Sequence, residues 1–351
     1  MPKNLLIAGA SGIIGRYALA HQAAQGDWHV TGLARSQPDD LTEFGFVKLD
    51  LLSPNLDEAA LKTFGEATHL LYAGFVQPPG MNWAELSALN AKMFEGLMDL
   101  VDAHMPNLKR VVLIQGQKYY GSHLGPYKTP TKEDDARHEP PNFYFDQQDL
   151  LAERSQTAGY DWVCLRPHIV CGLAPRSPMN LVMQIGVYGS LCKELGMPLN
   201  FPGKPSSLKT LQQANDAELI ARAIDWALTE PRCGGQAFNI TNGDLIRWEN
   251  MWPIIAEELG MEPGPAEQIS LVEFGAKNQE LWRTMAERHG LNQPDLSELA
   301  DWSFSDYIFN IDWDVAANTI KARLYGFDYC LDTEDMMRRL LRRLKDERWI
   351  P

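Results

Sequence analysis

Short apolar runs recur along the first half of the chain, and stretches with apolar residues every three or four positions separate several of them. "NLLIAG", "WHVTGLA", "FVKLD", "THLLYAG", "RVVLIQG" and "DWVCLRP" read as six strands. "IGRYALAHQAAQ" and "NAKMFEGLMDLVDAH" read as helices between them. Strands that are apolar almost throughout are buried on both faces, which a parallel sheet between two helical layers provides. The pattern predicts an α/β fold, a doubly wound parallel sheet of Rossmann type. From about residue 176 helical segments take over, such as "DAELIARAIDWALTE" and "ENMWPIIAEELG", with one short strand candidate, "QAFNIT". The expected organisation is a sheet core over 1–175 and a smaller, mainly helical region over 176–351. The second region packs tightly on the first and covers the strand ends.

Composition narrows the partners. The chain has 351 residues, enough for one large domain or two packed lobes, and a net charge of -14. An acidic surface repels phosphate backbones, so nucleic acid is excluded as a general partner. Five scattered cysteines form no CxxC pair, which points to free thiols in a reducing compartment. The eight histidines show no metal-ligand spacing, and no metal is expected. The apolar start "MPKNLLIAGASGIIG" is broken by Gly and Ser, as a strand and turn would be. No stretch reaches the roughly 20 apolar residues that span a bilayer. The expectation is a soluble, cytoplasmic protein that does not bind membranes; a homodimer is left open. "DTEDMMRRLLRRLKDERW" places acids first, bases last and an apolar stripe between, which suits a docked terminal helix better than one lying on a membrane.

Candidate chemistry begins at "LLIAGASGIIGRYAL". Gly9, Gly12 and Gly15 stand between the first strand and the first helix. Gly9 permits a tight turn, Gly12 lets backbone amides approach a pyrophosphate, and Gly15 allows close packing of helix on sheet. Ser11, Ile13 and Ile14 belong to the same turn. At the end of the second strand, where an acid would hold the ribose hydroxyls of NAD, the chain reads "GLARSQ". Arg35 offers a fork of donors to a 2′-phosphate and Ser36 adds a hydroxyl, so NADP(H) is the expected cofactor. Asp50 and Leu51 are candidates for the adenine end. Ala73, Gly74, Gln115, Pro167 and Ile169 are candidates for the ribose–nicotinamide path. Ser177 is either a phosphate contact or a helix cap. Phe75, Tyr127 and Tyr188 are substrate-wall candidates that core packing would explain equally well.

A dehydrogenase of this fold usually carries Tyr with Lys four residues later. Here Tyr144 is followed at that spacing by Gln148. A phenol titrates near 10 and gains from a nearby cation when it serves a developing oxyanion. Lys118, in "QGQKYYG", follows the fifth strand, whose carboxyl end opens into the same crevice. It is either that displaced cation or a surface lysine. The Pro-rich and charged loop "LGPYKTPTKEDDARHEPPN" is either a mobile surface segment or a lid.

The stretches "GASGIIG", "VTGLARS", "THLLYAGF", "LIQGQKYYG", "PPNFYFDQQDLL", "LRPHIVCG" and "AFNITNGDLIRWENMW" resemble the PRISE family. That family is the progesterone 5β-reductase and iridoid synthase-like branch of the extended short-chain dehydrogenases/reductases. The resemblance runs from residue 9 to about 252. It implies that Lys118 and Tyr144 form the catalytic pair. It also implies NADPH-dependent reduction of the activated C=C bond of a small enone or enal, with Tyr144 supporting the enolate. Phe145 stands where plant members carry a second Tyr, and the segment at Gly74–Phe75 lacks their Trp, so a steroid or iridoid substrate does not follow. The alternatives are a carbonyl reductase or sugar-nucleotide epimerase or dehydratase on the same fold, against which Gln148 speaks, and a non-catalytic NADP-sensing protein.

Overall fold

The computed structural model describes residues 3–351 except 79, 175, 176 and 178, so the expected boundary at 175–176 lies outside the described residues. The six apolar runs form β1 (Lys3–Ala8), β2 (Trp28–Ala34), β3 (Gly45–Lys48), β4 (His69–Tyr72), β5 (Arg110–Ile114) and β6 (Asp161–Pro167). The later chain contributes β7 (Ile169–Cys171), β8 (Leu199–Phe201), β9 (Ala214–Asp216), β10 (Gln236–Ile240) and β11 (Pro263–Ala266). The main sheet has seven strands in the order β10-β6-β5-β4-β1-β2-β3, and every pairing is parallel. Strand order reverses between β1 and β4. In open α/β sheets that is where a ligand crevice opens beyond the carboxyl ends.

Helices α1 (Ile13–Gln25), α2 (Glu58–Glu66), α3 (Trp83–His104), α4 (Phe143–Ala158), α5 (Leu181–Glu194) and α6 (Ala217–Thr229) are followed by α7 (Trp248–Leu259), α8 (Leu271–Lys277), α9 (Gln279–His289), α10 (Trp302–Phe309), α11 (Ile320–Leu324) and α12 (Thr333–Asp346). The strands' alternation sorts their side chains into two cores. Leu6, Ala8, Leu70, Tyr72, Val111, Leu113 and Cys164 face one side, against Phe64, Phe94, Leu97 and Leu151 of α2–α4. Leu5, Ile7, Leu71, Val112, Val163 and Leu165 face the other, against Leu19 of α1 and Ile220 and Ile224 of α6. Each such buried Leu, Ile or Phe contributes about 1.5–3 kcal/mol by leaving water.

"QAFNIT" is not an interruption within a helical lobe. As β10 it pairs with β6 and completes the main sheet, and α6 lies over the same face as α1. The chain thus returns to the sheet between about residues 217 and 240. A third core, built from α5, α7, α9, α10 and α12, forms the remaining mass. The stripe Met336, Met337, Leu340, Leu341 and Leu344 of α12 is buried in it. The helix's bases engage acids of neighbouring elements, with Arg338 and Arg342 on Glu258 of α7 and Arg339 on Asp216 at the end of β9. None of the described helices is long and apolar enough to cross a membrane.

Candidate active site

The turn after β1 is shaped by backbone contact. Gly9 has φ +81°, and a Cβ there would lie 2.5 Å from the carbonyl oxygen of Ala73. A Cβ on Gly15 would lie 2.3 Å from the carbonyl oxygen of Gly9. The two glycines let α1, β1 and the end of β4 meet at van der Waals distance. Gly12 caps α1 without a side-chain hydrogen bond, and the first turn holds no acid. The helix therefore offers free amides and the positive end of its dipole, as an anion site requires. Arg16 fastens the turn by donating to the Ser11 carbonyl (2.9 Å) and pairing with Asp40. Ile14 packs into the sheet core. Together these features fit a dinucleotide's pyrophosphate.

Arg35 and Ser36 lie exposed just beyond β2, beside this turn; the amides of Gly9 and Ala10 donate to the carbonyl of Leu33 near the strand's end. No carboxylate pairs with Arg35 among the described residues. Asp50 accepts from the Leu52 amide at 3.0 Å, and Leu51 reaches toward Gly74. Ala73 continues the ladder from β4 by donating to the Ala8 carbonyl (2.9 Å). Ser177 donates its amide to the Ala174 carbonyl (3.1 Å). Ile169 packs against the third core.

Tyr144 sits in the first turn of α4. Its hydroxyl oxygen lies 3.1 Å from where a Cβ on Gly116 would be, and the Pro167 carbonyl lies 3.7 Å from the same point. The phenol is thus held at the carboxyl ends of β5 and β6. It makes no hydrogen bond among the described residues, and burial raises its pKa well above the ordinary phenol range. It is a protonated donor at neutral pH.

Lys118 lies in the single turn Gln117–Tyr120 that follows β5. Its ammonium faces the rings of Trp83 (5.1 Å) and Tyr307 (5.9 Å), from α3 and α10. Among the described residues no carboxylate pairs with it, and burial lowers its pKa. No hydrogen bond joins it to Tyr144. The link between them is Asn142, the N-cap of α4, which is 1% exposed. Its amide nitrogen donates to the Lys118 carbonyl (2.8 Å), and its oxygen accepts from the Tyr144 amide (3.0 Å).

Aromatic rings line the neighbourhood. Phe75 stacks on Phe143 (5.8 Å), which tilts against both Trp83 and Tyr144. Tyr127, like Tyr144, packs against the cluster of Tyr119, Tyr120 and Phe145, with its hydroxyl buried and unpartnered. The loop carrying it is tied to the far region, because Thr131 exchanges backbone hydrogen bonds with Ala316 and Asn318. Tyr188 lies elsewhere. It is 2% exposed in the third core and donates to the Asn200 carbonyl (3.0 Å), because α5 is buried on every face from Leu181 to Cys192. Gln115 is also committed. Its side chain holds the Tyr144 carbonyl, Gln148 and Arg166 beneath the phenol.

His168 follows Pro167 with both ring nitrogens buried and unpartnered, and burial depresses its pKa to about 3. The unfolded chain takes up that proton near pH 6.5 while the folded chain does not. Stability is therefore lost as pH falls from 6.5 toward 3, at up to about 1.4 kcal/mol per pH unit. His69 and His123, each depressed to about 4 by burial first and by nearby cations second, act in the same direction. Urea unfolding at pH 7, 6 and 5 should show this slope, and His168→Gln should reduce it by one proton. An unchanged slope in the variant removes His168 from the account.

A family model, the PRISE-like Rossmann-fold domain, matches residues 48–351. The chain belongs to the PRISE family. It is 32% identical over 321 residues to an (S)-8-oxocitronellyl enol synthase of Nepeta racemosa, covering 86% of this chain and 80% of the relative. It is 30% identical over 345 residues to the 3-oxo-Delta(4,5)-steroid 5-beta-reductase of Arabidopsis thaliana, covering 92% of this chain and 86% of the relative. Among solved structures, a UDP-glucose 4-epimerase of Thermus thermophilus with NAD superposes with a TM-score of 0.67 at 14% identity, over 97% of this chain and 99% of that one. At that identity the likeness shows the fold alone, of Rossmann type. The PRISE match begins after the Gly9–Gly15 turn, so the reading of that turn rests on its own geometry.

Trp83, Tyr307, Asn142 and Arg166 were not singled out from the sequence. Asn142 had a readable signal, an Asn directly before a helical pattern. Arg166 had a faint one, a charge inside an apolar strand.

Proposed function

We propose that this PRISE protein reduces the activated C=C bond of a small enone or enal with NADPH. The observation that carries the reading is the unpartnered, protonated hydroxyl of Tyr144, held against the Gly116 backbone at the carboxyl ends of β5 and β6. The Gly9–Gly15 turn would hold a reduced nicotinamide dinucleotide, which when bound would supply a hydride for the β-carbon of an enone. Tyr144 donates a hydrogen bond to the substrate oxygen as enolate charge collects there. Lys118 adds positive potential from a turn that Asn142 fixes to the same helix. Phe75, Phe143 and Trp83 keep the surroundings apolar, which strengthens both effects. The α-carbon proton comes from solvent.

NADPH absorbance with a panel of cyclic enones, enals, simple ketones and nucleotide sugars tests the reading. Consumption with enones or enals alone is expected. Consumption confined to ketones, or turnover of nucleotide sugars, overturns it. Arg35 supplies the preference for the 2′-phosphate. Arg35→Ala should raise KM for NADPH about 10–100-fold, the worth of a charge-assisted hydrogen bond of about 1.5–3 kcal/mol, and leave NADH unaffected. Equal loss with both cofactors removes Arg35 from that role.

A further inference from the structure

We propose that Arg166 is a positioning residue for Tyr144, acting through Gln115 and Gln148; the inference rests on the enone-reductase reading of the site. Arg166 lies within β6 between Leu165 and Pro167 and is 1% exposed. Among the described residues no carboxylate pairs with it. Glu133, the acid whose charge it influences, directs its carboxylate to the Asn239 amide (2.8 Å). An apolar residue in the middle of a sheet would avoid the desolvation cost of such a cation.

The guanidinium spends its donors in a defined way. Nε donates to Gln115 Oε1 (2.9 Å) and Nη2 to Gln148 Oε1 (3.0 Å). Nη1 donates to Tyr120 Oη (2.8 Å) and to the Glu133 carbonyl (3.2 Å). The ring of Tyr119 covers its face at 3.4 Å. Gln115 Nε2 then donates to the Tyr144 carbonyl (2.9 Å) and to Gln148 Oε1 (3.3 Å).

Arginine has donors only, so both glutamine oxygens must face it. That leaves Gln115 a single orientation, with its amide nitrogen under the Tyr144 carbonyl. A side-chain amide alone could turn over; one held by a guanidinium cannot. Arg166 thereby fixes the first turn of α4, and Gly116 leaves the phenol no slack on the other side. Gln148 also acquires a reason. It stands where related folds carry lysine, and a lysine there would offer Arg166 a like charge instead of an acceptor.

The test compares wild type with Gln148→Leu, Gln148→Glu and Arg166→Lys, using 2-cyclohexenone and NADPH. Gln148→Leu removes the acceptor and should lower kcat about 30-fold, with KM for NADPH within twofold, because a displacement near 1 Å costs on that order. Gln148→Glu restores an acceptor and should recover kcat to within about threefold of wild type. Equal kcat for the Leu and Glu variants, with only their melting temperatures differing, overturns the proposal. A second arm needs no substrate. Amide hydrogen exchange over residues 144–149 of the protein without ligand should quicken at least tenfold in Arg166→Lys and Gln148→Leu, while β1 and β5 stay protected. Unchanged exchange overturns the proposal whether or not any enone is turned over. Failure of the wild type on every enone, with exchange altered as expected, counts against the enone reading alone.

Discussion

Tyr144→Phe should lower kcat for enone reduction by about 10²–10³, the worth of one preorganised donor at a developing oxyanion, about 2.7–4 kcal/mol. The affinity for NADPH, read by quenching of its fluorescence, should stay unchanged. The fold should also hold, because the hydroxyl makes no hydrogen bond to lose and the ring keeps its packing on Phe143. This separation of effects gives the variant its value. Burial opposes the phenolate, so under the proposed reading the residue would serve as a donor and not as a base at neutral pH. Lys118→Met should cost less, because the ammonium reaches the site by field and aromatic contact and not by a hydrogen bond. A Tyr144→Phe enzyme that retains a third or more of its kcat would falsify the assignment.

Gly15→Ala should destabilise the fold by about 1–3 kcal/mol and abolish cofactor binding. Helix propensity alone argues the opposite, since Ala in a helix is about 1 kcal/mol better than Gly. Sterics decide. The added Cβ would lie 2.3 Å from the Gly9 carbonyl oxygen and 2.7 Å from Ala10 Cα, both backbone atoms that cannot turn aside. α1 would have to move off the sheet, carrying its free amides away from the pyrophosphate. Gly12→Ala is the contrast. Its φ is -78° and its nearest neighbour, the Gly9 carbonyl oxygen, is 3.3 Å away, so that carbonyl has to give only slightly and the fold should lose less than in Gly15→Ala. Any loss of NADPH affinity in Gly12→Ala reports the close approach of ligand to backbone. Thermal unfolding and cofactor titration of both variants separate the two glycines, and a fully stable Gly15→Ala contradicts the packing account.

The six strands were legible because burial on two faces leaves near-continuous apolar runs, here kept short and bounded by turns, unlike the longer buried run of α5. The glycine turn was legible because Gly9, Gly12 and Gly15 fall within seven residues between a strand and a helix, although the backbone that excludes a Cβ at Gly9 is that of Ala73, far along the chain. What was not legible is non-local. "QAFNIT" has the composition of a strand, but nothing within it says that its partner is β6, some seventy residues earlier. Trp83 and Tyr307 meet over Lys118 from helices more than two hundred residues apart, and no spacing encodes that meeting. Tyr188 stood open between substrate wall and core because an aromatic on an apolar helix fits either role; the structure gives its hydroxyl to the Asn200 carbonyl. Arg166 stood in the sequence only as one charge within an apolar strand. Only the arrangement of Gln115, Gln148 and Tyr120 turns it inward.

The pairing of β10 with β6 has a consequence for biosynthesis. When β6 leaves the ribosome its outer edge is a bare row of amides and carbonyls, and the covering strand ends only at Ile240. At ordinary elongation rates the gap lasts roughly 4–15 s, during which the nascent sheet has an unguarded template for pairing with a neighbour. Cotranslational chaperones would be needed most in that interval, and a chain interrupted before residue 236 would never close the edge.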